Sequence, residues 1–69
     1  MENTNAIRKE WYEFYKTLEA ISVSGIVNMH GAATYLAEYW EIDEELAKQV
    51  LANWMVNYSK LSKIFRWGN

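Results

Sequence analysis

The stretch from Asp43 to Phe65 contains neither glycine nor proline, and it limits the possible folds more than any other segment. Ala47, Leu51, Trp54, Tyr58, Leu61 and Phe65 follow one another at steps of four and three, which lays an apolar seam along one face of a helix. A straight helix over these residues would be about 35 Å long at 1.5 Å per residue. A globule of 69 residues is narrower than that. The spacing therefore predicts one helix over about 43–66 whose overhang needs a cover. A second copy of the chain is the simplest one, and a twofold dimer is the commonest closed assembly. Leu51, Trp54, Tyr58, Leu61 and Phe65 are the predicted self-association residues of such a homodimer.

Composition points the same way. A single core in 69 residues buries too little surface to be comfortably stable, so small proteins add disulfides, metals or subunits. The chain has no cysteine and one histidine, which excludes disulfides and thiolate sites and leaves no ligand set for a structural zinc. No metal and no cofactor are expected. Four Trp, five Tyr and two Phe are more aromatic surface than a three-helix monomer readily hides, and Trp, Tyr and Met favour interface cores. The net charge of −2 disfavours nucleic acid as a partner. No apolar run reaches membrane-spanning length and the first residues lack the apolar core of a signal peptide. The expectation is a cytoplasmic protein, one domain over 1–69, with no membrane partner.

Taken in order, the chain predicts an all-α domain of three helices at about 5–23, 29–40 and 43–66. Thr4 or Asn5 is placed to cap the first. Ile7, Trp11, Phe14, Leu18 and Ile21 form its apolar seam, with Tyr12 and Tyr15 flanking it. Glu13 with Lys9 and Glu19 with Lys16 are neighbour pairs worth tenths of a kcal/mol each. Gly25 is placed as a left-handed C-cap, with Ile26 folding back onto Ile21. Asn28 opens the second helix, whose small residues Gly31, Ala32 and Ala33 permit close approach and whose apolar face is Tyr35, Leu36, Tyr39 and Trp40. After a turn at Glu41 and Ile42, Asp43 caps the third helix. Glu44 and Glu45 suit the positive end of its dipole, and Lys60, Lys63 and Arg66 the other. The tail from Trp67 frays unless Trp67 docks.

The segment from Tyr35 to Leu51 resembles a helix-turn-helix corner, a pattern that carries little specificity by itself. It departs from that motif at two places. Glu41 stands where the turn usually has glycine, and the helix that would enter the major groove begins with Asp43, Glu44 and Glu45. Carboxylates there repel phosphates, whereas DNA affinity rests on cations that displace counterions. Lys48 and Gln49 are the only candidates for DNA contact, and a DNA-binding regulator is the alternative reading. The acidic cluster Glu38, Glu41, Asp43, Glu44 and Glu45 is a candidate surface for a basic host protein. Asn53 and Asn57, one turn apart beside the seam, would set register if buried.

His30 is the one side chain that titrates near neutral pH. No second histidine, cysteine or spaced carboxylate pair completes a catalytic constellation around it, and catalysis needs several groups in mutual geometry. The chain reads as a non-enzyme.

One further pattern is broader. Ser24-Gly25-Ile26-Val27-Asn28-Met29-His30-Gly31-Ala32-Ala33-Thr34-Tyr35-Leu36, followed by Ala47 and Trp54-Met55, resembles small uncharacterised proteins of tailed bacteriophages over residues 11–58. The resemblance implies an accessory protein acting in an infected bacterial cell and implies no activity. The function expected is a protein-interaction module that self-associates.

Overall fold

A computed structural model describes residues 6–25 and 29–67. The expected caps Thr4, Asn5 and Asn28, the Ile26 contact and the His30 side chain lie outside the described residues. The architecture is all-α. A 3₁₀ turn at Lys9–Trp11 leads into α1 (Tyr12–Ser24), followed by α2 (Met29–Trp40), α3 (Glu44–Val56) and α4 (Tyr58–Phe65). Among the described residues there is no strand.

The C-terminal helix is not the single rod that its seam predicts. It bends at Asn57, whose φ of −103° and ψ of 13° leave the helical range. The cause is local. Asn57 Nδ2 donates to the main-chain oxygen of Asn53 at 3.0 Å, the same oxygen that accepts the Asn57 backbone N–H at 3.0 Å. Side-chain bonds of this kind compete with the helical ladder and bend it. The overhang disappears as a result, and the longest dimension of the chain is 33 Å. α4 turns toward α1, where the Phe65 ring meets Tyr12 edge-on at 5.1 Å between centroids.

The core is built on α2 and α3, which pack most closely, with α1 laid against both. Ala32, Ala33, Leu36 and Ala37 of α2 are buried against Ala47, Val50 and Trp54 of α3, so the small residues do permit the close approach expected of them. α1 contributes Tyr15, Leu18 and Ile21. Tyr15 is thus a central core residue rather than a flank. Trp11 and Phe14 lie half-buried at the rim, with Phe14 turned to the α2 side against Trp40. Lys16 pairs with Glu13 at 3.2 Å rather than with Glu19, whose carboxylate accepts the Tyr58 hydroxyl at 2.9 Å.

Helix ends follow backbone chemistry. Gly25 closes α1 with φ of 70°, and its N–H donates to Ile21 O, as the sequence predicts. α2 ends in the same geometry without a glycine: Glu41 has φ of 56°, and the Ile42 N–H reaches back to Ala37 O at 3.0 Å, the long bond of a Schellman motif. Arg66 repeats the device at the end of α4 with φ of 62°. Asp43 occupies the cap position of α3, but its side chain makes no capping bond. Trp67 docks, stacked on Phe65 and Tyr58 at 5.0 Å and 5.8 Å.

Candidate functional site

The residues predicted to pair two copies face the chain's own interior to different extents. Leu61 and Trp54 are fully buried, Leu51 and Phe65 are half-buried, and Tyr58 is at the margin of exposure. The rings run as an intramolecular ladder in which Trp54 meets Tyr58 edge-on at 5.0 Å, Tyr58 stacks with Trp67, and Trp67 stacks with Phe65. The Lys16 ammonium lies 5.9 Å from the Phe65 ring centroid. Much of the aromatic surface that composition assigns to a second subunit is covered by α1 and the C-terminal residues of the same chain.

Asn53 and Asn57 are buried within the monomer, at 4% and 5% exposure. Asn53 Oδ1 accepts the Tyr15 hydroxyl at 2.6 Å, and Asn53 Nδ2 donates to Ala6 O at 2.8 Å. The Tyr15 oxygen in turn accepts the Arg8 N–H at 3.2 Å. This network ties the segment before α1 to α3. Burial pushes the Tyr15 phenol above the ordinary tyrosine value, only partly offset by the Arg8 backbone bond, so the ring stays a neutral donor.

The outer surface carries a groove of about 460 Å³ between α1 and α2. From α1 it takes Glu13, Lys16, Thr17, Ala20 and Ser24, and from α2 it takes Tyr35, Tyr39 and Trp40. Trp40 Nε1 donates to Thr17 Oγ1 at 2.9 Å, and Thr17 Oγ1 donates to Glu13 O at 2.9 Å. These bonds hold the indole across the groove floor and satisfy its polar end. Tyr39 is 64% exposed and packs edge-on against Trp40 at 5.5 Å. On its other side Tyr39 lines a second hollow with Tyr35 and Glu38.

Glu38, Glu41, Asp43, Glu44 and Glu45 are all exposed. Glu44 is engaged on one side, accepting the Thr34 hydroxyl at 2.8 Å between α2 and α3. Lys48 and Gln49 are exposed on α3, one turn beyond Glu44 and Glu45. Among the described residues no group of three or more His, Cys, Asp or Glu is arranged to hold a metal ion. No helix among them is long and apolar enough to cross a membrane.

The α1 half of the groove has a weak signature in the sequence. Thr17, Ala20 and Ser24 recur at i, i+3 and i+7 on the face away from Leu18 and Ile21, and three small side chains in line leave a trough. What periodicity lacks is the neighbour that makes a trough into a groove. The chain matches no family model, no curated protein and no solved structure.

Proposed function

We propose that this chain is a small non-enzymatic module that binds a protein partner along the α1–α2 groove. The observation that carries the reading is the position of Tyr39, which is exposed between an apolar groove and a hollow flanked by Glu38. Large exposed aromatics beside a shaped concavity are the anchors that interfaces use. The carboxylates at the end of α2 select the partner: an apolar segment carrying lysine or arginine gains from Glu38 and Glu41, whereas an acidic one is repelled. The resemblance to tailed-bacteriophage proteins supports an accessory role in the cytoplasm of an infected bacterium, with a host protein as the partner.

The DNA-binding alternative draws on the α2–α3 corner with Lys48 and Gln49 exposed, and is weakened by Glu44 and Glu45 standing ahead of them. A bait experiment separates the two. Immobilised chain is incubated with bacterial lysate, with and without nuclease, alongside a Tyr39→Ala bait and a Glu38→Lys bait. The expected result is a protein retained by the parent, indifferent to nuclease, and lost from both variants. Retention that vanishes with nuclease would support the DNA reading, and equal retention by the Tyr39→Ala bait would remove the groove from consideration.

A further inference from the structure

The inward side of α3 is spent on the core, yet its outward side is also apolar at the centre. Met55 and Val56 are 55% and 62% exposed, and Ala52 and Ser59 beside them are exposed as well. These four recur at i, i+3, i+4 and i+7, so they form one continuous outward stripe. Charge is ordered along it. Glu44 and Glu45 are exposed at the amino end, and Lys60 and Lys63 are exposed at the other.

We propose that this stripe is the face on which two copies of the chain associate, antiparallel about a twofold axis. The order of charges selects the direction. Parallel copies would set Glu45 against Glu45 and Lys63 against Lys63, and like charges across an interface disfavour that arrangement. In the antiparallel register Ala52 of one copy faces Val56 of the other, a small residue against a large one, twice over. The axis then passes at the level of residue 54, and the same register sets Glu45 opposite Lys63 at both ends. Lys48 and Lys60 lie on opposite edges of the stripe, so the register brings Lys48 beside Ser59 and Lys60 beside Gln49 rather than lysine against lysine. The helix supplies a self-complementary surface, as an isologous contact requires.

This inference does not rest on the groove reading, because the stripe and the groove use different helices. Sedimentation equilibrium of the full chain at low salt tests it. The parent is expected to dimerise, and Val56→Glu, an exposed position, is expected to weaken the dimer by about tenfold or more with an unchanged helical circular dichroism spectrum. Glu45→Lys and Lys63→Glu are each expected to weaken it, and the double variant to recover it. Tyr39→Ala is expected to leave it intact. A parent that stays monomeric at millimolar concentration, or a dimer indifferent to Val56→Glu, would overturn the proposal. Failure of the double variant to recover would overturn the antiparallel register, and loss of the dimer with Tyr39→Ala would move self-association to the groove.

Discussion

The Tyr15 hydroxyl donates to Asn53 Oδ1 at 2.6 Å across 38 residues of chain, and both side chains are buried. A buried hydrogen bond contributes modestly when made, but either partner left alone carries a desolvation cost of about 1–3 kcal/mol. Tyr15→Phe is therefore expected to lose about 1–2 kcal/mol, since it strands Asn53 Oδ1 and the Arg8 N–H. Asn53→Leu strands the Tyr15 hydroxyl and frees Ala6 O, and is expected to lose about 2–3 kcal/mol. The double variant is expected to lose less than the sum, with a coupling of about 1 kcal/mol or more. Urea denaturation of the four proteins measures it, and simple additivity would mean that the bond contributes nothing of its own.

The same phenol predicts a limit at alkaline pH. Burial raises Tyr15, and the hydrogen bond to the Glu19 carboxylate, followed by burial, raises Tyr58. For both groups the folded chain holds its proton more tightly than the unfolded chain does. The associated stability is fully present below the ordinary tyrosine value of 10.0 and is lost as pH climbs past it toward the raised values. Stability is expected to be level from neutral pH to about 9 and to fall steeply above about 10. Tyr15→Phe, less stable at neutral pH, is expected to show a shallower fall. Equal slopes for parent and variant would assign the alkaline loss to other groups.

Two helix ends with one geometry and different residues give opposed predictions. Gly25 sits at φ of 70° with open space where a Cβ would go, so the penalty of Gly25→Ala is conformational alone, about 1 kcal/mol. Glu41 adopts φ of 56° with a Cβ in place, so Glu41→Gly is expected to raise stability by about 0.5–1 kcal/mol. Thermal melts read both shifts. A Glu41→Gly protein that melts below the parent would show that its carboxylate contributes more than its backbone costs.

These positions also mark what the sequence makes legible. The all-α class, the bounds of α2 and the left-handed cap at Gly25 follow from apolar periodicity and glycine placement, both of which are local. The bend at Asn57 does not, because Trp54, Tyr58, Leu61 and Phe65 keep helical spacing straight through it. The break comes from one amide that bonds to the main-chain oxygen of Asn53, and no periodicity records that choice. Covering the seam with α1 and Trp67 is likewise tertiary. It shifts much of the aromatic surplus from a second subunit to the chain's own core. At the candidate site the exposed carboxylates of the corner were readable from their runs of charge. The pairing of Tyr39 with a groove was not, since that needs α1 to lie beside α2.

The indole of Trp54 carries the last prediction. Its ring is buried, and among the described residues Nε1 is a buried donor with no hydrogen-bond partner. Such a donor costs about 1–3 kcal/mol relative to a solvated one, a cost that the ring's apolar burial offsets. Trp54→Phe removes the stranded N–H together with part of the buried area, and the smaller ring forfeits about 1–2 kcal/mol of transfer energy. The two effects oppose each other, so the variant is expected to lie within about 1 kcal/mol of the parent. Trp54→Ala removes both and opens a cavity beside Tyr58, and it is expected to lose about 3–5 kcal/mol. Urea denaturation followed by circular dichroism compares the three without relying on tryptophan emission. A Trp54→Phe loss close to that of Trp54→Ala would mean that the indole N–H has an acceptor in solution.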